Sequence, residues 1–212
     1  MVRCGRRPGE DTVRSVYEAA SPSPHGSSAS GSAAGSTAAM AAEAAEATPE
    51  AFRAALGQLA SGVVLLTAHD PEDGPRGEDI GMTATAFLSV SLEPPLVLVS
   101  VREDSRMEEA LTRVDHWAVS VLGADQRQTA ARFAMKGRIS DRLLFADLPH
   151  HRGPASGAPL VDGALATVEC RTEQRISAGD HVLLIGRVLD ARIAHHDGGP
   201  LVYFRGQYRG LD

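Results

Sequence analysis

The chain has 212 residues, 43% of them hydrophobic, which suffices for one domain with a sizeable core or two very small ones. Its formal net charge of −6 argues against a nucleic-acid partner, because a polyanion is bound by basic surfaces. No apolar run approaches the roughly 20 residues of a membrane-spanning helix, so no membrane association is expected. Its two cysteines, Cys4 and Cys170, indicate no disulfide framework and favour a reducing cytoplasm.

Residues 1–47 are predicted to be a disordered tail. From Ala19 to Ala47 the composition is dominated by Ala, Ser, Gly and Pro. Such a segment cannot bury enough apolar surface to offset the entropy lost on ordering. An apolar h-region is missing, so a signal peptide is not expected, and Met40 is a second candidate start. The folded domain is predicted to span residues 48–212.

The folded domain is predicted to begin with a helix. Thr48-Pro49-Glu50 supplies an N-cap, a proline at the first helical position and an acid in the first turn. Apolar residues then follow at helical spacing: Phe52, Ala55, Leu56 and Leu59. Gly62 is expected to end this helix.

Strand-like apolar runs dominate the rest of the chain. The predicted strands are 63–67, 80–87, 96–101, 117–122, 165–173, 181–192 and 201–204. Short helices are predicted at 104–113 and 125–134, each starting with an aspartate. Strand–helix alternation is too sparse for parallel βαβ units, so the pattern favours an antiparallel barrel with a few peripheral helices. Neither G-x-G-x-x-G nor a P-loop occurs, so a Rossmann nucleotide site is not supported.

The segment 80–100, IGMTATAFLSVSLEPPLVLVS, is rich in small residues and hydroxyls, and only Glu93 is ionisable. Small side chains let a flat molecule approach the backbone, while hydroxyls and N–H groups bond its polar edge. Pro94-Pro95 fixes two φ angles and therefore the turn between two strands. The alternative interpretation is an ordinary threonine-rich strand.

Other polar features also have two interpretations. Gly179-Asp180 is typical of a turn, which places His181 either at the mouth of a pocket or simply at a strand edge. A basic group near residue 136 either binds a phosphate or is solvated: Arg132, Lys136, Arg138 and Arg142. In a strand, the adjacent pairs His150-His151 and His195-His196 point to opposite faces, so no metal site is expected.

Taken in order, seven motifs resemble one family. They are FRAALGQLASGVVLLTA, GMTATAFLSVSLEPPLVLVSV, WAVSVL, AARFA, GAPLVDGALATVEC, AGDHVLLIGRV and PLVYFRGQY. The chain resembles the flavin reductase component of two-component flavin-dependent monooxygenases, most of all the actinomycete type. The resemblance covers about residues 52–211. It implies a mainly β fold, an FMN-binding split β-barrel that is antiparallel and Greek-key-like with a few peripheral helices.

The resemblance also implies which residues bind the flavin and the nicotinamide nucleotide. The edge of the flavin ring is assigned to Met82, Thr83, Ala84 and Thr85, with Ser89 nearby. The ring and ribityl chain are assigned to Ser100, Val101 and Arg102, the flavin phosphate to Ser105 at a helix start, and a phosphate or adenine to Phe133, Lys136 and Arg138. His181, beside Asp180, is implied to position the nicotinamide, with Tyr203 and Tyr208 close to the same pocket. Ala86 stands where the family commonly has serine, so no contact is assigned to it.

The implied function is that of a cytoplasmic, homodimeric NAD(P)H:flavin oxidoreductase. It would reduce free FMN or FAD with NADH, or alternatively NADPH, and supply reduced flavin to a partner monooxygenase. Two alternatives stay open. One is a split-barrel flavoprotein that retains its flavin and acts on another substrate, and the other is a non-enzymatic flavin-binding module.

Overall fold

The computed structural model describes residues 46–135, 137, 140–194 and 198–211. Three features of the sequence analysis lie outside the described residues. They are almost all of the predicted tail, the site residues Lys136 and Arg138, and the pair His195-His196. Among the residues that are described, no helix is long and apolar enough to cross a membrane.

Strands account for nearly half of the described residues. In order, the elements are helix α1 (Pro49–Leu56), strands β1 (Ser61–Gly62), β2 (Val64–Asp70), β3 (Glu78–Ala84), β4 (Phe87–Leu92) and β5 (Pro95–Arg102), helix α2 (Arg106–Arg113), strand β6 (His116–Val121), a 3-10 turn (Ala124–Gln126), helices α3 (Arg127–Ala134) and α4 (Asp141–Ala146), and strands β7 (His150–Arg152), β8 (Pro159–Val161), β9 (Ala166–Ala178), β10 (His181–Ile193), β11 (Leu201–Phe204) and β12 (Gln207–Gly210).

Seven strands form one antiparallel sheet in the order β3-β2-β6-β9-β10-β5-β4. Strands β1, β11 and β12 form a second sheet, and β7 pairs with β8. Strands β3 and β4 are the two edges of the large sheet, yet only Thr85 and Ala86 separate them along the chain. A two-residue link spans less than about 10 Å, so the sheet must curl until its edges meet.

Buried side chains from the whole large sheet confirm this closure. One core cluster contains Val64 and Leu66 of β2, Ile80 of β3, Val99 of β5 and Leu184 of β10. Strands from opposite ends of the sheet therefore share one interior, as in a barrel. Helix α2 contacts β2, β3 and β5 and buries Met107, Ala110 and Leu111 in the same core. The mainly β, antiparallel fold with few peripheral helices was predicted and is confirmed.

A second core lies on the outer side of β2 and β3. Leu65 belongs to it while its neighbour Leu66 faces the barrel interior, which is the alternation expected of a strand buried on both faces. Phe133 of α3, Phe145 of α4 and Leu201 of β11 complete this cluster. It fixes α3 and α4 against the barrel wall.

Several predicted boundaries were wrong for local reasons. Helix α1 begins as predicted, with the Thr48 hydroxyl accepting from the Ala51 N–H at 3.2 Å, but it ends at Leu56 because Gly57, not Gly62, caps it. The strand predicted at 80–87 is interrupted by the Thr85-Ala86 link. Five strands (β1, β4, β7, β8 and β12) and helix α4 were not predicted.

The two predicted aspartate-capped helices also start later than expected. Ser105, not Asp104, is the N-cap of α2: its hydroxyl accepts from the Glu108 N–H at 3.1 Å. Helix α3 begins at Arg127 because a 3-10 turn occupies the preceding residues. The turn predicted at Pro94-Pro95 is confirmed, since β4 ends at Leu92 and β5 begins at Pro95.

Candidate functional site

A cleft of about 530 Å³ opens where the two ends of the sheet approach each other. Three parts of the chain line it. These are Met82 and Thr83 of β3, the segment from Arg102 into α2 (Arg102, Asp104, Ser105, Arg106 and Met107), and the end of α3 with the residues after it (Phe133, Ala134, Met135 and Gly137). The cleft therefore depends on the barrel closure, because β3 and β5 are far apart in the order of the sheet.

The cleft has an apolar floor and a charged rim. Met107 and Phe133 are each 1% exposed and supply the floor. At the rim, the Arg102 guanidinium donates two hydrogen bonds to the Asp104 carboxylate, both 2.9 Å long. Arg106 contacts Asp141 at 2.9 Å and Glu78 at 3.2 Å. This combination suits a ligand with a flat apolar body and an anionic end.

Gly81 and Thr83 of β3 hold α3 against this cleft. A Cβ at Gly81 would lie 2.6 Å from Phe133 Cε1 and 3.0 Å from Phe145 Cζ, so only a glycine allows these rings their positions. The two rings meet edge to face with centroids 5.1 Å apart. Thr83 Oγ1 donates to the Ala130 carbonyl of α3 at 2.7 Å. The small residues of segment 80–100 were interpreted from the sequence as space for a ligand. At Gly81, the ring of Phe133 occupies that space instead.

Ser105 joins the end of β5 to the start of α2. Its hydroxyl accepts from the Glu108 N–H and donates to the Arg102 carbonyl at 2.8 Å. Its own N–H donates to the same carbonyl at 3.1 Å. Ser105 therefore fixes the start of α2 at the rim, and the positive end of a helix dipole favours an anion nearby.

His181 lies at the edge of the cleft rather than among its lining residues. It begins β10 directly opposite Arg102 of β5, and its Nδ1 is 2.7 Å from the Asp180 carboxylate. The hydrogen bond from His181, together with its charge, holds the pKa of Asp180 below its ordinary value. Asp180 also lines a small hollow with Arg102, Glu103 and Asp104, so the His181 pair adjoins the rim of the cleft.

Tyr203 and Tyr208 lie in an adjoining hollow of about 500 Å³. They face each other across the β11–β12 hairpin, with ring centroids 5.4 Å apart at 62°. Burial is the main reason why the pKa of Tyr208 is raised. Ala134 and Met135 line both this hollow and the cleft, so the two spaces share a wall.

The structure divides the sequence-predicted site residues into three groups. Met82, Thr83, Arg102, Ser105 and Phe133 lie together in the cleft. The side chains of Ala84 and Val101 face the barrel core, so only their backbone atoms are available to a ligand. Thr85 is exposed in the link, Ser89 is exposed on β4, and Ser100 is half-buried on β5.

Sequence reasoning missed several lining residues. Asp104, Arg106 and Met107 surround the helix start, and Met135 follows α3. The signal for Arg106 and Met107 was present, because a serine followed three residues later by Glu108 is typical of a helix N-cap. Placing the cap at Ser105 puts the next two residues at the mouth of the same site.

Comparisons with known proteins identify the family to which this chain is similar. The family model described as "Flavin reductase like domain" matches residues 56–212. An FMN reductase (NADH) of Agrobacterium fabrum is 43% identical over 157 residues, which are 74% of this chain and 83% of that protein. The reductase subunit of a flavin-dependent monooxygenase of Rhodococcus jostii is 36% identical over 80% of this chain and 82% of its own length. The crystal structure of the flavin reductase component of a bacterial two-component tryptophan halogenase matches with a TM-score of 0.69 and 40% identity, covering 76% of this chain and 97% of that one.

Gly81→Ala tests whether the contact with Phe133 holds the site together. The added methyl group would collide with the ring, so the free energy of unfolding should fall by about 1–3 kcal/mol, measured by urea denaturation. Gly62→Ala is the matched control, because nothing lies within 4 Å of a Cβ built there. Equal stability of the two variants would contradict this account, and partial recovery in Gly81→Ala/Phe133→Leu would support it.

Proposed function

The chain belongs to the family of flavin reductase like domains, and from this premise we propose that it is an NADH-dependent flavin reductase. It binds free FMN or FAD in the cleft, reduces it with NADH and passes reduced flavin to a partner monooxygenase. The observation that carries this proposal is the cleft itself, which combines a strand edge, an apolar floor and an arginine-bearing rim. NADPH is the alternative donor.

The residues of the cleft fit a flavin. Met82 is half-buried in the wall of the cleft and can contact a flat ring above the floor of Met107 and Phe133. The backbone of Thr83 and Ala84 lies on the edge strand β3, and the hydroxyl of Thr85 follows in the link, where these groups can meet the polar rim of that ring. When bound, a flavin accepts a hydride from reduced nicotinamide. Because hydride transfer itself needs no protein acid or base, the chain contributes positioning and exclusion of water.

The rim brings two arginines to the place where a flavin phosphate could bind. Arg102 and Arg106 both line the cleft, and their guanidinium groups are oriented by the Asp104, Glu78 and Asp141 carboxylates. Ser105 places the start of α2 beside them. Ser100 and Val101 lead into Arg102 along β5 and are assigned to the ring and ribityl chain. Lys136 and Arg138 are assigned to the phosphate by the family resemblance alone.

His181 is proposed to position the nicotinamide. His181 Nδ1 is hydrogen-bonded to the Asp180 carboxylate, so Nε2 is the ring nitrogen that can contact a ligand. Nε2 of a neutral imidazole can accept from the carboxamide N–H₂ of nicotinamide, and Nε2–H of a protonated imidazole can donate to the carboxamide oxygen. Asp180 is a positioning residue in this scheme, because it orients the imidazole and does not touch the substrate. Tyr203 and Tyr208 extend the binding surface beyond the cleft.

The first experiment measures NADH oxidation by the purified chain with and without added FMN or FAD. The proposal predicts oxidation that depends on added flavin and saturates with it, because free flavin is a substrate. Stoichiometric yellow protein whose NADH oxidation needs no added flavin would instead indicate a retained flavin. Flavin binding with no NADH oxidation would indicate a non-enzymatic flavin-binding module.

His181→Ala should raise the KM for NADH several-fold while flavin affinity stays nearly intact. The control is His116→Ala, because His116 also begins a strand and its Nδ1 lies 2.5 Å from the preceding aspartate, Asp115. The two imidazoles are similarly exposed, 39% for His181 and 41% for His116, but His116 lines a different hollow, beside Thr112 and Arg175. Steady-state kinetics with varied NADH measure the effect. An unchanged KM in His181→Ala would remove this residue from the site.

We further propose that the chain is a homodimer. Helix α1 has no buried residue, and its apolar residues Phe52 and Leu56 are 59% and 50% exposed. Leu88, Val90 and Leu92 are also exposed on the edge strand β4. A second copy that covers such apolar surface would remove it from water.

We also propose a cytoplasmic location. Cys170 is a buried free thiol, which is consistent with a reducing compartment.

Residues 1–47 are proposed to be dispensable for folding, with the domain formed by residues 48–212. Deleting residues 1–39 should leave the melting temperature and the flavin-dependent NADH oxidation unchanged. Analytical ultracentrifugation of the full chain and of the shortened chain should give twice the mass of one chain in each case. A large fall in melting temperature would refute the tail assignment, and a monomer mass for the full chain would refute the dimer.

A further inference from the structure

The hollow that contains Tyr203 and Tyr208 lies beside the proposed flavin cleft but is separate from it. Its other lining residues are Arg127, Ala131, Ala134, Met135, Gly206 and Gln207. Ala134 and Met135 form the wall common to both spaces. A ligand held in the cleft can therefore extend past this wall into the hollow, if it is longer than a flavin mononucleotide.

The hairpin fixes the two aromatic rings. Tyr203 and Tyr208 are direct cross-strand partners of β11 and β12. The connection is the two-residue turn Arg205-Gly206, in which both residues have positive φ, 49° and 77°, as a tight hairpin of this type requires. Because Tyr208 is half-buried and the rings meet edge to face, the pair is a fixed aromatic platform.

Arg127 adds positive charge to this aromatic platform. It is the first residue of α3, and its Nη2 donates to the Tyr208 carbonyl at 2.7 Å. This bond anchors the guanidinium at the side of the hollow, with further N–H groups that can face a phosphate. The other lining residues include the small Ala131, Ala134 and Gly206, whose side chains leave space inside the hollow. An aromatic platform beside an arginine is suited to a planar base linked to a phosphate.

We propose that this hollow is an adenylate subsite, which binds the AMP portion of a dinucleotide whose other end lies in the cleft. This inference rests on the proposed function, since that function supplies the dinucleotides. The dinucleotides FAD and NADH both carry an adenylate, whereas the mononucleotides FMN and reduced nicotinamide mononucleotide do not. The adenine would stack on the Tyr203–Tyr208 pair, and Arg127 would face the pyrophosphate.

Binding measurements with Tyr203→Ala and Tyr203→Phe test the subsite. The dissociation constants of FMN, FAD, NADH and reduced nicotinamide mononucleotide are measured by fluorescence titration, so the result does not depend on turnover. Tyr203→Ala should raise the Kd of the adenylate-bearing ligand relative to its mononucleotide roughly tenfold, because one stacked base is lost. Tyr203→Phe retains the ring and should keep the ratio of the unmodified chain.

The pattern of ratios identifies the source of the adenylate. A change confined to FAD against FMN assigns the subsite to the flavin, and a change confined to NADH against its mononucleotide assigns it to the donor. Unchanged ratios for both pairs in Tyr203→Ala would overturn the proposal.

A second experiment is used if Tyr203→Ala does not fold. AMP is titrated against the unmodified chain, where it should weaken the binding of FAD or NADH more than it weakens the binding of the matching mononucleotide. Equal weakening would also overturn the proposal. Failure of the proposed function would appear separately, as an absence of NADH oxidation with FMN in the unmodified chain.

Discussion

The link formed by Thr85 and Ala86 is the constraint on which the rest of the structure depends. It joins the two edge strands of a seven-stranded sheet, so these edges cannot separate by more than two residues allow. The Ser100 N–H donates to the Ala86 carbonyl at 3.0 Å and ties the link to β5. Closure brings side chains from distant strands into one core, so the sheet forms a barrel and not an open sheet.

The candidate site is a consequence of that closure. Met82 and Thr83 on one edge come to lie near Arg102 at the end of β5, and α2 covers the junction. Helix α3 completes the cleft because Gly81 admits Phe133 and Thr83 binds the Ala130 carbonyl. Each wall of the cleft thus depends on a different element, and only the tertiary fold assembles them.

Much of the fold follows from the sequence. Apolar and β-branched runs located β2, β5, β6, β9, β10 and β11 to within a few residues, and Thr48 marked the start of α1. Thr85 and Ala86 were assigned to a continuous strand, because a two-residue link without Gly or Pro carries no turn signal. The short strands β7 and β12 depend on pairing partners more than on their own residues.

Prediction of the site was limited by strand parity and by contacts between distant residues. Met82 and Thr83 line the cleft, but alternation along the strands turns the side chains of Ala84 and Val101 into the barrel. The sequence showed that Gly81 is small but not which group would use the space. Arg106 and Met135 were missed because their relevance depends on α2 and α3 meeting β3. Because β12 was not predicted, neither the pairing of Tyr203 with Tyr208 nor the wall that they share with the cleft followed from the sequence.

A chemical account follows from this arrangement. The chain offers an edge strand, an apolar floor and oriented arginines, and it keeps His181 and its Asp180 partner at the rim. We propose that such a site binds and aligns two planar substrates without contributing an acid or a base. The most direct test is a crystal structure of the chain with FMN. We expect the ring against Met82 and Thr83 and the phosphate near Arg102 and the start of α2. Ordered FMN anywhere else, with the cleft filled only by water, would contradict the account.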